Sequence, residues 1–318
     1  MSAATDKTWE FLCRIAPRQI LKSFLGYLLR HPKITDHLGF HVRHIHFYEP
    51  LPDFSALTTE AIMRRHDSKA VAWNLPAQRR WVENLSRFAD ELAVLRKSGP
   101  DDGGFDFANI AFTHLDAAVY YATIRAVKPQ RIIEIGSGYS TQIANLALRK
   151  NQAEGHAGQI SCIEPYPPSW LPKTGGAIKL LQQPVEAVDL KIFQHLNGSD
   201  ILFIDSTHTV RFGNDVLREF LEILPELKPG VLVHVHDIFF PFDYPPDWLK
   251  IHRRAWNEQY LLEAFLAYNS EFEILLANHL LGADAPEVFT LLSGASKTSG
   301  DFLHQTGSFW MKRKSRDA

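Results

Sequence analysis

Cysteine is scarce in this chain: two residues, Cys13 and Cys162, in 318. That is too few for a disulfide framework, so a packed core and a reducing, cytoplasmic setting are expected. No charge sign dominates. Lys plus Arg number 34 and Asp plus Glu 36, a net charge of -2. No global basic field therefore points to nucleic acid or to an anionic membrane. No uninterrupted apolar run reaches the ~18 residues of a spanning helix. The opening Met1-Ser-Ala-Ala-Thr-Asp-Lys lacks the charged-then-apolar layout of a signal peptide. Neither internal repeats nor low-complexity tracts are present.

What is present changes character along the chain. Residues 1–105 show no alternation of strand and helix and read as a mainly helical N-terminal extension or cap. Trp9–Leu29 reads as a surface-packed helix and His41–Phe47 as a short strand. Trp81, Leu85, Phe88, Leu92 and Leu95 recur at i, i+4, i+7, i+11 and i+14, one apolar stripe on a helix from about Pro76 to Lys97. Ser98-Gly-Pro-Asp-Asp-Gly-Gly104 is the best domain boundary. Thr113-His-Leu-Asp116 then has capping-box-like spacing at the head of a helix. From there strands and helices alternate. Strands are expected at 131–135, 159–163, 178–182, 200–204, 231–235, 272–276 and 308–312, and helices at 140–149, 185–196, 214–224 and 257–268. Residues 106–318 therefore read as a second domain, a doubly wound α/β sheet.

Arg131-Ile-Ile-Glu-Ile-Gly-Ser-Gly-Tyr-Ser-Thr141 is a buried strand, a glycine turn and a helix start. A dinucleotide fingerprint would need a third glycine where Thr141 stands. Glu134 precedes the turn. A carboxylate there repels a pyrophosphate and suits a ligand bearing amino and sulfonium groups. Glu134, Gly136, Ser137 and Gly138 are candidate cofactor residues. Glu164, 26 positions after Gly138 at the end of the next strand, can accept hydrogen bonds from ribose hydroxyls. Glu164 would equally suit NAD, so a nicotinamide oxidoreductase stays open at this point.

Two further strand ends carry chemistry. Phe203-Ile-Asp-Ser-Thr-His208 and His234-Val-His-Asp-Ile238 would bring Asp205, His208, His236 and Asp237 together at the ligand crevice. Carboxylates and imidazoles in that pattern can bind a divalent metal or take a proton from a nucleophile. The glycine turn with its acid resembles the first motif of the class I S-adenosylmethionine (SAM) methyltransferases. With the two strand ends it looks like the methyltransferase 24 group, and more distantly like the metal-dependent catechol-type O-methyltransferases.

The resemblance implies a Rossmann-like seven-stranded sheet, its last strand antiparallel, and SAM as cofactor, contacted also by Asp205. It implies Asp205, His208 and His236 as catalytic groups. Asp205, His236 and Asp237 would hold a divalent metal, with His and Asp where that family has an acid and an Asn. The acceptor would be a small-molecule oxygen, less favourably nitrogen, nucleophile. A SAM-fold hydroxylase is the third reading. Substrate contacts are expected from Asp243 and Tyr244, in the aromatic loop Ile238–Trp248, and from Tyr48. Trp256–Tyr260 can face the same cleft.

Overall fold

The computed structural model describes residues 18–98, 104–112, 114–171, 178–294 and 306–315. They fall into two compact units, Met1–Leu57 and Thr58–Ala318. In the first, helix α1 (Arg18–Arg30) leads into a short helix at Pro32–His37. His41–Phe47 is not a strand; it runs as irregular chain, with no strand partner among the described residues.

The second unit starts ahead of the expected boundary and takes in the helices before it. The apolar stripe lies on two helices, α2 (Leu75–Leu85) and α3 (Ala89–Lys97), joined by a 3-10 turn at Ser86–Phe88. Its residues Leu85 and Leu92 are buried in one core with Leu115, Tyr120 and Phe203. Burying that stripe against the sheet's own helices makes these helices part of the same folding unit.

The sheet has seven strands: β1 (Arg131–Ile135), β2 (Gln159–Ile163), β3 (Ile178–Leu181), β4 (Ile201–Ile204), β5 (Leu232–Val235), β6 (Phe272–Ala277) and β7 (Phe309–Arg313). Their order is β3-β2-β1-β4-β5-β7-β6, with β7 antiparallel to both neighbours. The expected architecture is therefore the observed one. β1, β4 and β5 are hydrophobic because both faces are covered. Helices α4 (His114–Val127) and α5 (Tyr139–Ala153) close one core with Ile132, Ile160 and Phe203. Ile133, Ile135, Val233 and Val235 belong to the other. The expected helix at 185–196 is instead two 3-10 segments, Val185–Ala187 and Leu190–His195. Its residues around Val188 are extended, which breaks the helical ladder. Helix α6 (Asp215–Arg218) continues into a π-turn at Glu219–Ile223. Among the described residues no helix is long and apolar enough to cross a membrane.

The strand order reverses at β1, whose neighbours are β2 on one side and β4 on the other, so the connections after β1 and β4 leave toward opposite sides of the sheet. Ligands of open α/β sheets bind at such a point.

Candidate active site

Gly136 occupies the turn after β1 with φ +80°, and a Cβ there would lie 1.9 Å from the carbonyl oxygen of Asp205. Only glycine lets β1 and β4 come that close. Gly138 is different. Its φ is -178°, an extended conformation open to any residue, and nothing lies near an added Cβ.

Glu134 does not reach a ligand cavity. It is fully buried, and its carboxylate accepts hydrogen bonds from Tyr120 Oη (3.0 Å) and Thr141 Oγ1 (2.5 Å). Thr141 Oγ1 in turn accepts from the Gly138 N–H (3.2 Å). Burial pushes the Glu134 carboxyl up from 4.5 to about 7, against the hydrogen bonds of Thr141 and Tyr120. Glu134 is thus an internal brace for the turn and for the start of α5. Thr113 of the expected capping box lies outside the described residues. Asp116 accepts instead from Asn278 Nδ2 (2.8 Å) and from the backbone N–H of Gly307 (2.8 Å) and Ser308 (3.2 Å). Cys162 is buried, and burial pushes its thiol up to about 12.

A cavity of about 370 Å³ opens beside the turn, lined by Gly136, Glu164, Tyr166, Val185, Glu186, Asp205 and Arg211 among others. The Glu164 carboxylate is set by backbone N–H groups, Tyr166 at 2.7 Å and Ser137 at 3.3 Å. A second cavity of about 750 Å³ is lined by Asn109, His114, Asp205, His236, Asp237, Phe239, Trp248, Arg254 and Trp256. Asp205 lines both.

Around Asp205 the two expected strand ends meet. His208 Nε2 lies 3.3 Å from Asp205 Oδ1 and 3.5 Å from Asp237 Oδ2. His236 Nδ1 lies 3.5 Å from Asp205 Oδ1 and 3.6 Å from Asp237 Oδ1. Each imidazole has a buried carboxylate behind it. Glu258 Oε2 is 2.9 Å from His208 Nδ1, and Asp116 Oδ2 is 3.3 Å from His236 Nε2. The His208 ring also lies 4.3 Å, centroid to centroid, from Trp256. His208 and Asp237 both have φ +59°, a conformation costly for non-glycine residues and concentrated at functional sites.

Four carboxylates, of Asp116, Asp205, Asp237 and Glu258, surround the two imidazoles. Burial works against the charge of Asp205, yet His236 and His208 hold it below the ordinary carboxylate range. Burial would also depress both histidines, but the surrounding carboxylates hold His208 and His236 well above the ordinary imidazole value. Asp237 and Glu258 are pushed up by burial.

Asp205, His208 and Asp237 each offer one ligand atom, all within 4.8 Å of one another, a geometry that could hold a metal ion. The expected trio had His236 where this compact set has His208. His236 Nδ1 is nevertheless buried, without a hydrogen-bond partner among the described residues, and close to both carboxylates. Magnesium favours oxygen ligands, whereas imidazole suits zinc, copper, iron or nickel. The donor set therefore fits a transition metal better than magnesium.

Asp243 and Tyr244 do not line the cavity beside Asp205. Tyr244 is fully buried, and its hydroxyl accepts from the Gln259 N–H (3.2 Å). Asp243 lines a separate cavity of about 260 Å³ with Arg64, His66 and Tyr260, and accepts a hydrogen bond from the Tyr260 hydroxyl. Tyr48, in the first unit, is 84% exposed. Glu258, Asp116 and Arg254 carry no motif that marks them. Glu258 stands in the segment expected to face the cleft, and the spacing of Asp116 pointed only to a helix cap.

The strand order, the glycine turn between β1 and α5 and the acids ending β2 and β4 define the class I SAM-dependent methyltransferase fold. Residues 133–238 match the methyltransferase 24 family model, described as a methyltransferase domain. An uncharacterized protein of Archaeoglobus fulgidus is 32% identical over 167 residues, 49% of this chain and 74% of its own length. Residues 133–238 thus form a methyltransferase domain of the methyltransferase 24 family. Solved structures with some likeness include an O-methyltransferase from Bacillus cereus in complex with SAH (14% identity, 72% of this chain and 91% of that one, TM-score 0.37). Another is the MycE methyltransferase of the mycinamycin biosynthetic pathway with Mg, SAH and mycinamycin VI (15% identity, 74% and 54%, TM-score 0.35).

Proposed function

We propose that this chain transfers a methyl group from SAM to an oxygen, less favourably a nitrogen, of a small molecule. One observation carries the reading: Asp205 lines both the cavity beside the glycine turn and the larger one next to it. The smaller cavity takes the nucleoside, with Glu164 on the ribose hydroxyls. The larger takes the acceptor. SAM supplies an electrophilic methyl group when bound. The residues around Asp205 must then align the nucleophile with it and receive its proton.

The proton enters a group rather than a single residue. Asp205, Asp237, His208 and His236 lie within 3.3 to 3.6 Å of one another along the contacts described. Titration in such a cluster belongs to the set. Asp237, raised by burial, is a stronger base than an ordinary carboxylate. His208, held in place by Glu258, shares the proton through Nε2. A divalent ion held by Asp205, His208 and Asp237 would lower the pKa of a bound hydroxyl.

Isothermal titration with SAM and with NAD tests the reading. SAM binding with no NAD binding is expected, and clear NAD binding without SAM would overturn it.

A further inference from the structure

We infer that the acceptor carries an anionic group on a flat, unsaturated body, with Arg254 binding the anion beside Trp248 and Trp256. The inference rests on the larger cavity being the acceptor site and names the class of acceptor it takes.

Arg254 lines that cavity together with the two indoles. Its guanidinium carbon sits 5.0 Å from the ring centroid of Trp248 and 5.0 Å from that of Trp256. The Arg254 N–H donates to the carbonyl of Trp248 (2.8 Å), which ties its backbone to the end of helix α7 (Pro246–Lys250). Trp248 and Trp256 also meet edge to face at 5.1 Å. Two aromatic faces thus hold the guanidinium in place. Among the described residues no carboxylate pairs with it, although the site nearby is rich in carboxylates. A guanidinium has five donors in a fixed fork that matches a carboxylate or a phosphate. Exposed at the wall of the cavity and steadied by two indoles, it is open to an anion from outside.

The rest of the cavity gives the orientation. Asp205 and Asp237 line the same cavity. Negative charge near them is unfavourable, so an anionic acceptor presents its neutral hydroxyl to them and its charge to Arg254. Trp248, Trp256 and Phe239 supply flat apolar walls for a ring between the two. About 750 Å³ is ample for a molecule of that size.

The test uses the full chain loaded with S-adenosylhomocysteine and a panel of hydroxylated aromatic carboxylic acids, each paired with its methyl ester. Calorimetry measures binding to the wild type, to Arg254→Ala and to Arg254→Lys. At least one acid is expected to bind at least tenfold more tightly than its ester. Arg254→Ala should remove that preference while leaving ester and SAM affinity unchanged, and Arg254→Lys should restore part of it. Equal affinity for acid and ester, equal loss of both in Arg254→Ala, or no binding by any acid would overturn the inference alone, provided SAM still binds. If SAM itself does not bind, the inference and the function it rests on fall together.

Discussion

His208 and Glu258 are fifty residues apart in sequence, yet Nδ1 of one lies 2.9 Å from Oε2 of the other, and both side chains are buried. The pair turns the second imidazole nitrogen toward Asp205 and Asp237. A carboxylate behind a histidine fixes which nitrogen faces the reactants, in catalytic triads and at metal ligands alike.

Substitution at this pair should separate turnover from cofactor binding. His208→Ala should lower kcat by about 10²-fold or more. Glu258→Gln, which keeps the shape and weakens the hold on Nδ1, should have a smaller effect in the same direction. Neither residue lines the smaller cavity, so the SAM dissociation constant should stay within a few-fold. A wild-type kcat in His208→Ala would contradict the role given to it.

Stability should fall with rising pH through Glu134. Its folded carboxyl is raised from 4.5 to about 7, so its contribution is full below about 4.5 and is lost as pH rises through about 7. The shift of about 2.5 corresponds to an upper limit on the order of 3 kcal/mol. Thermal melts of the wild type should show a falling Tm between pH 5 and pH 8. Glu134→Gln should flatten that fall, and parallel curves for the two proteins would refute the assignment.

The two glycines of the turn should respond differently. Gly136→Ala meets a positive φ and a backbone oxygen at 1.9 Å, and should destabilise by more than about 3 kcal/mol. Gly138→Ala meets neither and should cost under about 1 kcal/mol. Urea unfolding of both variants checks this. Equal losses would show that the turn does not depend on the β1–β4 approach.

Metal preference should follow the donors. Zn²⁺ or Co²⁺ should bind more tightly than Mg²⁺ after treatment with a chelator, because imidazole nitrogen is among the ligands. Bound Co²⁺ should show visible absorption bands that change in His208→Ala. Tighter Mg²⁺ binding, or a cobalt spectrum untouched by His208→Ala, would remove His208 from the ligand set.

Much of the sheet was legible because both-sided burial makes β4 a continuous apolar run and leaves β1 and β5 apolar apart from Arg131, Glu134 and His234. The antiparallel β7 at Phe309–Arg313 also came close to its expected bounds. Legibility failed where local pattern competes with tertiary contacts. Residues 185–196 carry helix-compatible side chains, but extended residues at Pro184 and Val188 leave only 3-10 turns. The stripe from Trp81 to Leu95 passes through a 3-10 turn that helical periodicity does not reveal.

By itself the order of residues determined the strand–turn–helix at Glu134–Thr141, the acids that end β2 and β4, and the His-Asp pair after β5. Short-range chemistry suffices for these, since backbone sterics and burial act on neighbours in the chain. Only the tertiary structure decided that Glu134 braces the turn from within the core. It alone brought Glu258 and Asp116 behind the two histidines and set Arg254 against two indoles that touch each other. The pairs behind the two histidines join residues 50 and 120 positions apart, His208 with Glu258 and His236 with Asp116. Their energies come from desolvation and from distances of a few ångströms, which sequence spacing does not encode.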